Sequence, residues 1–504
     1  MSAECVSPAL FFSALLCVLV VPPGVLTTPL DDYVNKPDPH YSYHEVLEWR
    51  LKGPGYTMYL LNMTSQQWLT EKDVNRPIWW HFLTVVIPDN ITYPDAGFLF
   101  IDGDNNDHPE SLPSHGDNFV SLVNMFAVGT GSVAANLKQV PNGHLVFKKD
   151  PLQKRLSEDA LIAYTWRHFL DNPEDPEFIV NMPMAKASVR AMDAVQDFVK
   201  NMTGTQPDKF MVGGASKRGW TTWATAAVDK RVFAITPIVF DLLNVQKTLH
   251  HYYRVLGGWS FAFKDYYFYN LSASLDDPNY EKLRTVIDIL EYKDRLTMPK
   301  YHIGTGGDEF FMPDDSYFYW DQLEGEKYKR LIPNADHLCV GHEISILFGM
   351  RSFFLSLMED SPRPKLTWTR ETGPRSGRIT LQTDMEPVII RSFHARTPDA
   401  VRRDFRFVKE LPDHQYAPHP VVWLPEDVQD MGNGTYVAEF DIPPFGWLAF
   451  FIQATFPAPH GTALEFTTEV HIIPETFPFP DCTGAACEGD SCLNESVEQP
   501  LLGL

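Results

Sequence analysis

Short apolar runs bounded by Gly, Pro, Asn and Asp alternate with helical periodicity through the first two thirds of the chain. Ile78 to Ile87 (IWWHFLTVVI), between Pro77 and Pro88, and Gly97 to Ile101 (GFLFI) are predicted as buried strands. Helical spacing predicts helices over Ser157 to Leu170 and over Met184 to Val199, the second ended by Asn201 and Gly204. Lys209 to Gly214, Phe233 to Phe240 and Lys300 to Ile303 are further strands, with a helix over Lys217 to Val228 between the first two. Such alternation predicts an α/β fold with a mostly parallel, doubly wound sheet, and Gly341 to Met358 is its terminal amphipathic helix. Past Pro362 and Pro364 the period changes to two, as in Ile379, Leu381, Thr383, in Tyr436, Ala438, Phe440 and in Leu464, Phe466, Thr468. An all-β, sandwich-like domain is therefore expected over 363–475, after an α/β domain over 29–362, with a cysteine-containing tail over 476–504.

The stretch KFMVGGASKRGW, Lys209 to Trp220, is a strand turning sharply into a helix with Ser216 at the apex. That turn exposes a hydroxyl beside the first N–H groups of a helix, the geometry of a nucleophile elbow. Acyl transfer by a serine needs a base and an acid that orients it, met in the order Ser, Asp, His along such a chain. Asp308 follows the strand Lys300 to Ile303 by one loop, and His337 stands in a loop before the terminal helix. Asp314, Asp315 and Asp241 compete for the acid position, and His342 for the base. The backbone N–H groups of Lys217 and of Gly103 or its neighbours are the expected oxyanion donors. Arg218, Trp220 and Asn105 are candidate substrate contacts, although the cations Lys217 and Arg218 also suit salt bridges at a helix start. The aromatic insertion at about 245–295, with Tyr252, Trp259, Phe263 and Tyr266, reads either as core packing or as a cap over an aromatic substrate pocket.

Charge narrows the partners. With 65 acidic against 42 basic residues and a net charge of −23, a phosphate backbone or an anionic membrane would be repelled, so no nucleic acid is expected. The apolar run Ala9 to Val21, followed by Pro22 and Pro23, reads as a signal peptide over 1–28, with no membrane span after its removal. Sequons at Asn62, Asn90, Asn201, Asn270, Asn433 and Asn494 fit a secreted glycoprotein. Of 6 cysteines, Cys5 and Cys17 fall in the leader, leaving Cys339, Cys482, Cys487 and Cys492, whose spacing suits a disulfide-pinned tail better than zinc. The run Asp102, Asp104, Asn106 lacks the Gly and Glu of a calcium loop, and no metal or cofactor is expected.

YVNKPDPHYSY, WWHFLTVVIPD, GFLFIDGDNND, GGASKRGWTTW, GGDEFFMPDDS and IPNADH together resemble the PhoPQ-activated pathogenicity-related family, which includes autocrine proliferation repressor-like secreted proteins. The resemblance runs from about residue 31 to 470. It implies an α/β-hydrolase fold, and it supports Ser216, Asp308 and His337 as a triad, since GTGGDEFFMPDDS and NADH are similar to the acid and histidine loops of the prolyl-oligopeptidase group. The serine loop departs from G-x-S-x-G, with Arg218 where the last Gly would be and Gly219 one later; a G-x-S-R-x-G form occurs in glucuronoyl-esterase-like enzymes. Two functions follow: a secreted serine hydrolase acting on a peptide or ester, or a secreted growth-restraining signal on a hydrolase scaffold, with a cell-surface receptor as its partner.

Overall fold

The computed structural model describes residues 27–411 and 415–488. The leader with Cys5 and Cys17, together with Cys492 and the sequon at Asn494, lies outside the described residues. Eight strands form the heart of a 15-stranded mixed sheet, in the spatial order Tyr56–Gln67, Ile78–Pro88, Val133–Leu137, Ala96–Ile101, Lys209–Ala215, Val232–Ile238, Lys300–Thr305 and Lys327–Ile332. From Val133–Leu137 onward each neighbour is parallel, whereas Ile78–Pro88 runs antiparallel to both of its partners. This is an α/β-hydrolase sheet, doubly wound, with the crossover at Ala96–Ile101.

The central strands read as continuous apolar runs because both faces are covered. Every residue of Ala96–Ile101 and of Lys300–Thr305 is buried. One face packs on the helices Asn181–Thr203 and Lys217–Val228 through Met184, Ala191, Val195, Trp220 and Trp223. The other packs on Asn118–Thr130 and Glu343–Met358 through Phe126, Met350, Phe353 and Phe354. Burying each large apolar side chain contributes roughly 1.5–3 kcal/mol.

Elements that the pattern does not mark include the helix Asn118–Thr130 and the strands Val133–Leu137 and Lys327–Ile332. The first of these strands, VAANL, carries two alanines and an asparagine, so its intrinsic preference is weak and tertiary context decides it. The helix predicted over Met184 to Val199 extends to Asn181–Thr203, closed by Gly204 in the left-handed conformation.

After Met358 the described strands all pair antiparallel, with only short 3-10 turns at Pro459–Gly461 and Gly484–Glu488. Leu366–Thr372, Ser376–Thr383, Thr435–Asp441 and Gln429–Gly432 form a four-stranded sheet. Thr462–Thr467, Leu448–Ala458 and Ile389–Arg396 instead extend the main sheet beyond Lys327–Ile332, joined where Lys329 pairs with Thr467. The period-two residues Ile379, Leu381, Ala438, Leu464 and Phe466 are buried in the same apolar cluster as Tyr301, Phe353 and Phe354. Cys482 and Cys487 are disulfide-bonded, and Cys339 is a buried free thiol. Asn90, Asn201, Asn270 and Asn433 are exposed, while Asn62 is half-buried within Tyr56–Gln67. Among the described residues no helix is long and apolar enough to cross a membrane.

Gly214, at the end of its strand, allows the following helix to approach: a Cβ there would meet the Arg218 carbonyl oxygen at 2.8 Å and carbon at 3.0 Å. Gly214→Ala is expected to destabilise the fold by about 1–3 kcal/mol, the cost of overpacking, read as a lower urea midpoint; an unchanged midpoint would show that the turn does not need this approach.

Candidate active site

The strand Lys209–Ala215 delivers Ser216 directly to the start of the helix Lys217–Val228. Ser216 has φ 58° and ψ −126°, a conformation that a non-glycine residue adopts at a cost of order 1–3 kcal/mol. It is held there by hydrogen bonds from its N–H to the Ile238 carbonyl (2.9 Å) and from Trp220 N–H to its own carbonyl (3.2 Å). Gly219 completes the fit, because a Cβ would lie 2.7 Å from Phe240 Cβ and 3.0 Å from the Ile238 oxygen.

Ser216, His337 and Asp308 are brought together. Ser216 Oγ lies 2.9 Å from His337 Nε2, and His337 Nδ1 lies 2.9 Å from both Asp308 carboxylate oxygens. Asp308 is buried and also accepts from the N–H groups of Phe310 (2.8 Å) and Phe311 (3.1 Å). Those residues in turn place their rings against the imidazole, with centroids at 4.6 and 5.7 Å. Burial alone would disfavour the charged imidazolium, but the Asp308 carboxylate outweighs it and holds the His337 pKa above the usual value.

The competing residues are engaged elsewhere. Asp241 accepts from Tyr319 and Lys329 beside His302, Asp314 pairs with Arg403 and His251, and Asp315 caps Met312 N–H. His342 sits at the N-cap of the terminal helix. His251, Asp314 and Asp315 are clustered closely enough to hold a metal, but the Arg403 guanidinium, 2.7 Å from Asp314 and 3.1 Å from His251, occupies the cationic position. A second group, His250 with Cys482 and Cys487, has both thiols consumed by the disulfide.

The two cations after the serine are paired with acidic side chains, and Lys217 also lines the pocket at Ser216. Lys217 Nζ is 3.0 Å from both Glu158 and Asp159, and Arg218 binds Glu158 through both terminal nitrogens and the Val140 carbonyl through Nε. Burial would raise the Glu158 carboxyl, yet Arg218 and Lys217 together pull its pKa down to about 2. Arg218 is thus a structural bracket rather than a substrate contact. Its guanidinium also lies where a Cβ on Gly103 would be, at 2.5 Å, which explains the glycine.

Of the two expected oxyanion donors, Lys217 N–H is the first of the helix and has no acceptor within it. The Gly103 N–H, by contrast, donates to Asp102 Oδ1 at 2.6 Å, so it is committed in this structure. Asp102 itself is held by Lys138 (3.1 Å) and Asn136 (3.3 Å), which also leaves it unlike a calcium ligand. Asn105 is exposed and accepts the Asp107 N–H of its own loop at 3.0 Å, and it is not among the residues lining the pocket at Ser216.

Trp220 does reach the pocket. A narrow pocket with a free volume of about 40 Å³ begins at Ser216 and is walled by Trp220, Phe240, Trp166, Phe263, Tyr266 and Phe310. Phe263 and Tyr266 come from the aromatic insertion, so it both fills core and shapes the pocket.

Sequence reasoning missed Glu309. Its carboxylate is buried and accepts the His337 backbone N–H at 3.0 Å, while its second oxygen has no partner. Burial and the neighbouring Asp308 push its pKa up to about 7. Nothing in the pattern around Glu309 distinguishes it from a solvated loop charge.

The family model of PhoPQ-activated pathogenicity-related protein matches residues 30–406. Autocrine proliferation repressor protein A of Dictyostelium discoideum is 36% identical over 495 residues, covering 96% of this chain and 98% of that protein. Among solved structures, the chain is similar to an acetyl xylan esterase from Paenibacillus sp. R4, with 15% identity, TM-score 0.45, and 64% of this chain and 92% of that one covered. It is also similar to acetyl xylan esterase 1 from Thermoanaerobacterium sp. JW/SL YS485, with 15% identity, TM-score 0.39, and coverage of 63% and 93%.

Arg218→Lys keeps the charge but loses the planar fork. Because Glu158 is partly solvated, the expected loss is only about 1–2 kcal/mol, measured by urea unfolding; equal stability would contradict the bracket.

Proposed function

The chain belongs to the PhoPQ-activated pathogenicity-related protein family, and we propose that it is a serine hydrolase that cleaves a carboxylic ester or peptide through an acyl-enzyme. The observation that carries this reading is the single line of contacts from Ser216 Oγ through His337 to Asp308, each at 2.9 Å. A nucleophile and its base within hydrogen-bond reach, with the base oriented by a third group, is what acyl transfer requires.

In the proposed reaction Ser216 Oγ attacks the substrate carbonyl carbon as His337 Nε2 takes the hydroxyl proton. Asp308 keeps the other imidazole nitrogen protonated and stabilises the imidazolium. Negative charge developing on the carbonyl oxygen is met by Lys217 N–H at the helix start, where the dipole also favours an anion. The tetrahedral intermediate collapses, the leaving group departs with the proton from His337, and water repeats the sequence to free the acid and restore Ser216. The apolar, aromatic walls keep bulk water from the acyl group.

We further propose that the protein is secreted. Exposed sequons and the Cys482–Cys487 disulfide support an oxidising, secretory route. The second reading, a growth-restraining signal with little turnover acting through a cell-surface receptor, is favoured by the name of the Dictyostelium relative.

Turnover of 4-nitrophenyl esters and of peptide anilides separates the two. Hydrolysis by the wild type should fall by about a thousandfold or more in Ser216→Ala and in Asp308→Asn; no turnover by folded protein on either series would favour the signal.

The pH dependence has a definite sign. His337 must be neutral to accept the proton and its pKa is raised, so kcat/KM should fall as pH drops through a value above about 6.5. In Asp308→Asn, whatever activity remains should show this limb moved to lower pH, because the principal raising charge is gone. A limb that does not move would place the titrating group elsewhere.

A further inference from the structure

The pocket at Ser216 is small and its walls are pinned. A free volume of about 40 Å³ is room for roughly three water-sized groups, whereas a protein cavity that takes up benzene measures about 150 Å³. Trp166 Nε1 donates to Asn181 Oδ1 (2.9 Å) and Trp220 Nε1 to the Ile287 carbonyl (2.6 Å). Tyr266 OH donates to Asp159 Oδ1 (3.0 Å), and Asp159 Oδ2 lies 3.0 Å from Lys217 Nζ. Lys217 directly follows Ser216, so this wall is tied to the helix that carries the nucleophile. Phe263 adds to the enclosure, its ring against those of Tyr266 and Phe310 with centroids at 5.7 and 5.4 Å.

Space and chemistry together select what can enter. In an acyl-enzyme reaction the acyl group stays on the serine while the leaving group departs, so the enclosed position suits the acyl group. The leaving group then lies on the open side of Ser216, which is only half-buried. Lys217 and Asp159, the charged side chains of the lining, are paired with each other, so a charged chain end would enter without a partner. A chain larger than the free volume would have to break the hydrogen bonds of the walls or displace close-packed rings, as in overpacking a core.

We propose that this pocket holds the acyl group and limits it to an uncharged, unbranched chain of acetate or propionate size, so that the substrate is an ester of a short-chain acid. Leu242, Phe263 and Tyr266 set the limit. The assignment to the acyl side rests on Ser216 being the nucleophile; the size of group that the pocket admits does not.

The 4-nitrophenyl esters of acetate, propionate, butyrate, hexanoate and octanoate test this. An open apolar groove would favour the longer chains by about fourfold per buried methylene. The proposed pocket reverses the slope: kcat/KM should be highest for acetate or propionate and lower for hexanoate by about tenfold or more. Leu242 and Phe263 also line a second small void, with a free volume of about 20 Å³, so shortening either side chain opens space on that side. In Leu242→Ala and in Phe263→Leu the hexanoate-to-acetate ratio should rise by about fivefold or more. Because each ratio is taken within one protein, a partial loss of folded material cancels. Hexanoate turned over as fast as acetate by the wild type, or a ratio that moves in neither variant, overturns the size limit. Failure of the folded wild type to hydrolyse any of the series counts against the hydrolase reading, and binding then decides the limit. In saturation-transfer NMR on Ser216→Ala protein the nitrophenyl end is too large for the pocket, so only the acyl end can enter. The acetate should then bind about tenfold more tightly than the hexanoate, and a hexanoate bound equally well or better overturns the proposal.

Discussion

The constraint on which the site depends is the backbone of Ser216. At φ 58° and ψ −126° it is strained, and the strain of order 1–3 kcal/mol is comparable to burying one large apolar side chain. The surroundings offset it many times over: Lys209–Ala215 lies between two parallel neighbours, Trp223 is fully buried beneath the following helix, and the Ile238 carbonyl accepts the Ser216 N–H. Gly214 and Gly219 let strand, helix and the next strand end approach closely enough for that hydrogen bond to form. Without either close approach the serine would have to move relative to His337.

Electrostatics divides the neighbourhood into two parts. On one side Lys217 and Arg218 are neutralised by Glu158 and Asp159, so the helix start presents its N–H groups and no free cationic side chain. On the other, Asp308 and Glu309 flank His337, one at the imidazole and one at its backbone. Asp308, anchored by two further N–H groups, sets the imidazole's orientation and raises its pKa. The aromatic insertion then supplies Phe263 and Tyr266 as apolar walls of a pocket whose polar lining is Ser216, Lys217, Asp159 and Asn181.

Much of this was legible in the sequence because local pattern and tertiary role coincide. KFMVGGA is both a strong strand former and a strand buried on both faces, and the helix Lys217–Val228 begins and ends where its pattern does. The loop positions of Asp308 and His337 follow from strand ends that punctuation marks. What was not legible depends on long-range partners. Arg218 meets Glu158, sixty positions earlier, and no local signal distinguishes a bracket from a ligand contact. Gly103 offered an N–H at the right sheet edge, but the side chain of Asp102 claims it. VAANL was passed over because alanine and asparagine do not favour strands, and only the sheet around Val133–Leu137 makes it one. The β texture after residue 362 is legible as period-two strands, but that Leu464 and Phe466 pack in one cluster with Tyr301 and Phe353 depends on long-range contacts that no local pattern marks.

The central claim is that Ser216 is an activated nucleophile. Its most direct measurement is intact-mass and peptide-mapping mass spectrometry after brief exposure to a fluorophosphonate. One phosphonyl group is expected per chain, on the tryptic peptide containing Ser216, forming far faster in the wild type than in His337→Ala. A folded protein that stays unmodified, or is modified on another serine at a rate indifferent to His337, would contradict the account.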